Sequence, residues 1–196
     1  MLLAIDTSLG TSVAVVDRDG GVLAETTDPD LHNHAAVIGS LIEHVLETSG
    51  TEPTDLSGVA VGMGPGAFCS LGVGIAAARG FAIALRKPVV RVVSHDAVAL
   101  DRPLPSLVVV AAGEGEVAWT AYGTPDAELR LPSRMADPAV IAARDITDVE
   151  VSTRCERVDA QAISAGALGM LAERMFAGKR PFARKEPYYS HPPARE

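Results

Sequence analysis

The segment from Gly62 to Ile75 constrains the fold most, because a glycine-rich loop joins a strand pattern to an unusually apolar helix pattern. The glycines and proline at 64–66 predict a tight turn after the strand. From Ala67 to Leu85 the only charged residue is Arg79. A surface helix of a globular protein normally carries a polar face. We therefore expect this helix to lie in the core or against another protein.

The first sixteen residues form a second informative pattern. An apolar run predicts a buried strand that ends at Asp6, and small hydroxyl residues then predict a turn before a second strand at 12–16. Asp19 and Gly20, followed by another glycine, predict a hairpin turn into a third strand at 22–26. The three strands should form an antiparallel meander.

The rest of the first half alternates helix and strand patterns. Apolar residues at four-residue intervals predict a helix over 33–49, with Asn33 as N-cap and Gly50 as the stop. The remaining elements are predicted as a strand at 58–63, a helix at 67–85, a strand at 89–93 and a short helix at 94–100. The order βββαβα describes one lobe, which we place at residues 1–100.

The second half predicts a shortened repeat of this lobe at 101–178. We expect strands at 107–112 and 117–122, a weaker strand at 128–131, a short helix at 137–144, a short strand at 148–151 and a helix at 159–177. The final segment, 179–196, interleaves basic residues with aromatic residues and prolines, which predicts an extended tail. A solvated tail and a contact with tRNA or a partner both fit this composition.

Two short motifs resemble those of a known family. AIDTS at 4–8 and GPGAF at 64–68 resemble the motifs of TsaB-type proteins, which belong with the glycoprotease (M22)-like proteins. In that family the second motif usually reads GPGSFTGLRIG, and this chain replaces four of its residues with Ala67, Cys69, Ser70 and Gly72. The resemblance covers residues 1–100 and the ending Pro187-Tyr188-Tyr189, and it is thin between them.

The resemblance implies a two-lobed α/β fold of the actin-like ATPase superfamily (ASKHA, ribonuclease H-like). It implies a non-catalytic scaffold in the pathway that makes N6-threonylcarbamoyladenosine in tRNA. The partners would be a catalytic TsaD-like paralogue and a TsaE-like ATPase, with a homodimer in isolation and tRNA reached only through the complex. The opposite face of the apolar helix, together with the helix at 33–49, would form a helical-bundle contact with the partner. The interface residues in the glycine loop and the apolar helix would be Gly64, Pro65, Gly66, Phe68, Leu71, Gly72, Gly74, Ile75 and Ala78.

The first turn is the candidate remnant of a phosphate-binding loop. Asp6, Thr7 and Ser8 could contact phosphate or magnesium, but a strand-end aspartate also commonly binds backbone N–H groups of its own turn. The matching hairpin of the second lobe should lie at 111–116, where Ala111 and Gly113 replace the aspartate and arginine usual in the family. We therefore expect no catalytic residues and no bound cofactor.

No metal site is predicted from the histidines or cysteines. None of the five histidines forms an H-x-x-x-H pair, and His32 and His34 lack a nearby third ligand. Cys69, at the start of the apolar helix, should be buried and inert. Neither a metal-dependent glycopeptidase nor an ATP-dependent phosphotransferase is favoured, but both remain alternatives.

Bulk properties limit the partners. A net charge of −8 disfavours tight unaided binding to tRNA. We find no apolar run long enough for a membrane span and no basic stretch before the first strand, which together predict a cytoplasmic protein with no membrane contact.

Overall fold

A five-stranded mixed sheet forms the first half of the protein. In the computed structural model, which describes residues 1–102 and 105–191, the strand order is β3-β2-β1-β4-β5. The strands are β1 (Leu2–Asp6), β2 (Thr11–Asp17), β3 (Gly21–Asp28), β4 (Gly58–Gly62) and β5 (Val89–Val92). The first three strands pair antiparallel, and β4 and β5 continue the sheet in parallel to β1.

Both faces of this sheet are buried, which explains why its central strands β1 and β4 carry only apolar residues and glycine apart from Asp6. Helices α1 (His34–Ser49) and α2 (Phe68–Leu85) cover one face, against alternating residues such as Leu3 and Val59. Helix α5 (Ala165–Ala177) covers the other face, against alternating residues such as Ala4 and Ala60.

A four-stranded sheet in the order β8-β7-β6-β9 forms the second half. Its strands are β6 (Ser106–Gly113), β7 (Glu116–Tyr122), β8 (Ala139–Ala142) and β9 (Glu156–Asp159). Helix α4 (Ile146–Thr153) packs on one face through Ile146 and Val149, beside Leu107 and Val109. The other face meets the short helix α3 (Ser94–Ala99), so the two sheets are joined across this helix.

The structure confirms the elements predicted in the first half. The meander, both long helices and both parallel strands are present, and their ends lie within two residues of the predicted bounds. Gly50 ends α1 in a left-handed conformation with φ of 63°. Asn33 does precede α1, but its side chain forms no capping hydrogen bond.

Several predictions in the second half are wrong. Residues 128–131 form a turn instead of a strand, and the third strand of the sheet is β8, where a short helix was predicted at 137–144. The predicted strand at 148–151 is part of α4. Short apolar runs do not distinguish helix from strand, and here the pairing of β8 with β7 and the packing of α4 decided between them.

The last helix begins later than predicted and packs on the first sheet. Residues 156–159 form strand β9, and α5 starts after Ser164, whose hydroxyl accepts a hydrogen bond from the Ala167 N–H at 2.9 Å. Close approach to the sheet depends on Gly169, because a side chain there would overlap Val16 and Ala4. The lobe boundaries at 100 and 178 stay predictions.

The C-terminal segment returns to the first sheet. Ala183 pairs with Arg91 of β5, and Tyr188 and Ser190 pair with the glycine loop at Met63 and Gly66. The segment is extended, as predicted, and up to residue 191 it is docked on the protein. The last part of the predicted tail, 192–196, lies outside the described residues.

Among the described residues, α2 is the one helix long and apolar enough to cross a membrane, by length and composition alone, with a mean hydropathy of 1.7. The expectation that no apolar run reaches that length was wrong, because a single arginine barely lowers the average of so many uncharged residues. The inward stripe of α2 packs on the first sheet, at Leu71, Ile75, Ala78 and Ala82. The rest of α2 is half-buried or exposed, and 28% of the 18-residue window is buried.

Candidate functional site

The first turn and the glycine loop meet at the carboxyl ends of β1 and β4. This meeting requires glycine at 62, because a side chain there would overlap the carboxylate of Asp6. Gly64 has a φ of 82° and lies against the carbonyl of Tyr188, so a side chain at this position would be both strained and blocked. The glycines at 62 and 64 therefore allow this loop to pack tightly against Asp6 and Tyr188.

Asp6 is fully buried, and both of its carboxylate oxygens are occupied by hydrogen bonds. Oδ1 accepts bonds from the Ser8 N–H at 2.8 Å and from the Ser8 hydroxyl, and Oδ2 accepts a bond from the Ser94 hydroxyl at 2.5 Å. Burial raises the pKa of Asp6, and the bonds from Ser8 and Ser94 lower it by a smaller amount. Asp6 thus binds the backbone of its own turn, and its contact with phosphate or magnesium stays a prediction.

Thr7 and Ser8 are likewise engaged within the protein. The Thr7 hydroxyl donates to the carbonyl of Ser70 at 2.8 Å, and Thr7 packs closely against Gly74 of α2. The Ser8 hydroxyl donates to Asp6. Among the three residues predicted as a phosphate-loop remnant, Thr7 therefore fastens the first turn to α2, whereas Asp6 holds Ser8 and the Ser94 hydroxyl.

The residues predicted for a partner interface divide into two groups. Leu71, Gly74, Ile75 and Ala78 lie on the inward stripe of α2 and are buried in the protein's own core, and the loop residues 64–66 are buried as well. Phe68 and Gly72 lie on the surface, and the Phe68 ring packs on Tyr189 with ring centres 5.1 Å apart. The inward group is covered because the 3.6-residue period turns it toward the sheet.

The outward face of α2 is small and apolar, and most of it was missing from the sequence prediction. Its exposed members are Cys69, Gly72, Ala76, Arg79, Gly80, Ile83 and Ala84. Ile83 is 76% exposed. Counting the helical period onward from Gly72 would have found this face, because residues three and four positions apart share a helix side.

Helix α1 lies beside α2 on the same sheet face and extends this surface. Its exposed residues include Ala35, Ala36, Gly39, Ser40 and Glu43. We call the exposed residues of these two helices the α1–α2 surface. Small side chains on both helices leave the backbones open to close approach by another helix.

A cleft of about 490 Å³ separates the first turn from the second lobe. The first lobe contributes Ser8, His34 and the start of α2, and the second lobe contributes residues 110–113, where the second loop was predicted. Among the described residues that line it, there is no lysine or arginine. The cleft lacks the cations that usually hold a triphosphate.

Within residues 1–102 and 105–191, no three histidine, cysteine, aspartate or glutamate side chains come together as a metal site. Cys69 is exposed, which corrects the expectation of a buried thiol. It lies on the outward side of the first turn of α2, where the apolar sequence around it gives no cover.

The family model described as TsaD, tRNA N6-adenosine threonylcarbamoyltransferase, matches residues 7–162. An uncharacterized protein of Mycobacterium tuberculosis is 35% identical over 147 residues, which are 74% of this chain and 66% of that protein. The tRNA threonylcarbamoyladenosine biosynthesis protein TsaB of Escherichia coli is 31% identical over 126 residues, 62% of this chain and 54% of TsaB. The chain thus spans about half to two thirds of these relatives.

Two solved structures share the fold. YeaZ from Pseudomonas aeruginosa superposes with a TM-score of 0.73 at 24% identity, covering 91% of this chain and 92% of YeaZ. A protein described as similar to peptidase YEAZ from Pseudomonas aeruginosa superposes with a TM-score of 0.78 at 23% identity, covering 97% and 99%. The fold is therefore the two-lobed actin-like fold expected from the sequence. The matched region is well over half of the sequence, and the chain belongs to the TsaD family, in which it is a TsaB-type protein.

Proposed function

We propose that this chain is a non-catalytic scaffold subunit of the machinery that makes N6-threonylcarbamoyladenosine in tRNA. It docks a catalytic TsaD-type partner through the α1–α2 surface. We propose that it is located in the cytoplasm, because it would bind a partner that modifies tRNA there.

The exposed face of α2 carries this proposal. A helix that packs on one sheet needs one apolar stripe, yet the opposite side of α2 presents Gly72, Ala76, Gly80 and Ile83 to water. Leaving such a face in water loses the free energy that burial would give, about 25 cal/mol per Å² of apolar area. Exposed apolar residues gathered on one helix side, here with Arg79 among them, are typical of a protein interface.

The interior of the site supports a non-catalytic role. Asp6 already uses both carboxylate oxygens within the protein, and the described lining of the cleft carries no lysine or arginine. A phosphotransferase would need free acidic ligands for magnesium and cations for phosphate. A rise in melting temperature with ATP and magnesium would contradict this part of the proposal.

The same surface would serve two assemblies in turn. In isolation the α1–α2 surface would pair with a second copy, and a TsaD-type partner would displace that copy because both need the same residues. A TsaE-like ATPase would join the resulting complex, and tRNA would be held by the assembly. The net charge of −8 fits this indirect contact with tRNA.

Size-exclusion chromatography with light scattering tests the docking surface. The chain and the TsaD-type protein of the same cell should form a heterodimer at the expense of the homodimer. Ala76→Arg places a large cation in the middle of the exposed face of α2, where it should abolish both assemblies without disturbing the core.

Val151→Arg is the matched control. Val151 is 71% exposed on α4, away from the α1–α2 surface, so this variant should assemble as the unchanged chain does. Equal loss in both variants, or assembly of the Ala76→Arg protein with its partner, would refute the docking surface.

A further inference from the structure

A second cavity lies where α3, α5 and the C-terminal segment meet. It is lined by Asp96 of α3, by Leu171 and Met175 of α5, by residues 131–134 of the loop after β7, and by residues 180–181. Its volume of about 280 Å³ lies just below the roughly 300–1,000 Å³ that is usual for sites of drug-sized ligands, so a smaller molecule fits it. The scaffold function uses none of these side chains.

Asp96 is buried in the wall of this cavity and has one unpaired carboxylate oxygen. The residue is only 8% exposed. Its Oδ1 accepts a hydrogen bond from the Tyr122 hydroxyl at 2.7 Å and lies 3.3 Å from Nε of Arg134. Within the described residues Oδ2 accepts no hydrogen bond, and it is not among the unpaired side-chain atoms that are closed off from the surface. Oδ2 is therefore the oxygen that Asp96 presents to the cavity.

The surroundings of Asp96 compensate its negative charge only in part. Burial raises the pKa of Asp96 to about 6, and Arg134 and the Tyr122 hydroxyl lower it by smaller amounts. A buried carboxylate is normally paired and hydrogen-bonded at both of its oxygens. An ammonium group at Oδ2 would supply the missing charge-assisted hydrogen bond.

Arginine side chains in the same wall are suited to hold a carboxylate. Arg180 is half-exposed and donates from Nη2 to Asp126 at 2.9 Å. A guanidinium group carries several N–H donors, and within the described residues this is the one hydrogen bond that the Arg180 side chain makes. Two aspartates and two arginines line the cavity, so their charges balance. A ligand with one charge of each sign fits this lining better than an ion does.

The rest of the wall is largely apolar. Leu131 and Leu171 are buried, and Met175 is half-buried. An aliphatic group placed against them would be removed from water, which is favourable in proportion to its area. The flexible methionine side chain adapts to groups of different shape.

We propose that this cavity binds a small zwitterion with an aliphatic side chain, of the class of an α-amino acid. Its ammonium group donates to Oδ2 of Asp96, its carboxylate accepts hydrogen bonds from Arg180, and its side chain lies against the apolar wall. Because α3, α5, the loop after β7 and the C-terminal segment all line the cavity, the bound molecule contacts both lobes.

Binding of L-leucine and L-methionine to the full chain tests the site without any partner protein. Calorimetric titration and melting temperature at pH 7.5 are compared with isoamylamine, which lacks the carboxylate, and with isocaproate, which lacks the amine. An amino acid at ten times its Kd should raise the melting temperature by about 4 °C, and both analogues should bind about tenfold or more weakly. No response to either amino acid, or equal affinity for one of the analogues, overturns the proposal.

Asp96→Asn tests the ammonium side of the site. The asparagine oxygen is able to keep the bond from Tyr122, but its amide nitrogen then replaces Oδ2 and cannot accept a hydrogen bond. The amino acid should therefore bind about tenfold or more weakly. Asp137→Asn is the matched control, because Asp137 also pairs with Arg134, at 3.3 Å, but does not line the cavity. Any pattern other than loss in Asp96→Asn alone would refute the role of Asp96.

Arg180→Met tests the carboxylate side. Methionine keeps an apolar stem but removes the guanidinium group, so the affinity for leucine should fall to about that of isoamylamine, which itself should not bind more weakly. Lys179→Met removes a charge at the exposed neighbouring position outside the cavity and should change neither affinity. Equal affinity for leucine in both variants would refute the role of Arg180.

Met175→Trp fills the cavity without changing any charge, so it tests the location even if Asp96→Asn fails to fold. It should abolish binding of both amino acids, whereas Phe176→Trp, at the exposed next position, should leave binding intact. Binding that survives in Met175→Trp, or is lost in both variants, would overturn the assignment to this cavity.

Discussion

At the scale of single residues, two neighbouring side chains join the first lobe to the second. His95 and Asp96 both lie on α3 and are buried. His95 Nδ1 lies 2.8 Å from the Thr120 hydroxyl, and the Tyr122 hydroxyl donates to Asp96 at 2.7 Å. Arg134 adds an ion pair to Asp96 at 3.3 Å. The contact between the lobes is therefore polar at its centre.

His95 makes the stability of the protein depend on pH. Burial lowers its pKa to about 3, whereas the unfolded chain has the ordinary value of 6.5. Because the unfolded state binds the proton more readily, stability is fully present above pH 6.5 and falls as the pH drops toward 3. We expect this residue to remove about 2 kcal/mol of unfolding free energy between pH 7.5 and pH 5.

Urea denaturation of the unchanged chain and of His95→Gln measures this effect. Glutamine is able to bind Thr120 but has no titrating group. The unfolding free energy of the unchanged chain minus that of the variant should therefore be about 2 kcal/mol lower at pH 5 than at pH 7.5. An equal change in unfolding free energy of the two proteins between pH 7.5 and pH 5 would contradict the prediction.

At the scale of elements, the two faces of α2 differ in whether they have room for a side chain in place of glycine. A Cβ at Gly72 meets no atom within 4 Å, whereas a Cβ at Gly74 would overlap the Thr7 hydroxyl. Gly72→Ala should stabilise the protein by roughly 0.5–1 kcal/mol through helix propensity. Gly74→Ala should destabilise it by about 1–3 kcal/mol through crowding against the first turn.

A double variant separates crowding at Gly74 from other effects. Replacing Thr7 with alanine removes the overlapping atoms, so Thr7→Ala should recover part of the stability lost in Gly74→Ala. Chemical denaturation of the single and double variants measures the coupling. If the losses of unfolding free energy in the two single variants simply add in the double variant, crowding between Thr7 and residue 74 does not explain the effect of Gly74→Ala.

At the scale of the whole molecule, the C-terminal segment ties the parts together. It pairs with β5 at Arg91 and with the glycine loop at Gly66, and its His191 meets Glu116 of the second sheet at 2.6 Å. Truncation after Lys179 should lower the free energy of unfolding by about 2 kcal/mol, because each lost hydrogen bond contributes about 1 kcal/mol and the entropic cost of ordering the segment, which is removed as well, offsets part of that loss.

Hydrogen exchange checks the effect of the truncation locally. The Gly66 N–H donates to the carbonyl of Tyr188, so its exchange should speed up when the segment is removed. Lys185→Ala, at an exposed position of the same segment, should leave both stability and exchange unchanged. An unchanged Gly66 amide in the truncated protein would contradict the docking of this segment.

The sequence by itself determined the first lobe and the family. The central strands of the first sheet, β1 and β4, carry only apolar residues and glycine apart from Asp6, and both are buried throughout, so local pattern and burial agree there. The motifs at 4–8 and 64–68 lie in the same well-patterned half. These features needed no knowledge of distant contacts.

Only the tertiary structure decided the rest. Strand β8 forms because β7 supplies its partner, and α5 belongs to the first sheet because Gly166 and Gly169 let it approach β3, β2 and β1. The outward and inward faces of α2 could not be distinguished from its composition, since both are small and apolar.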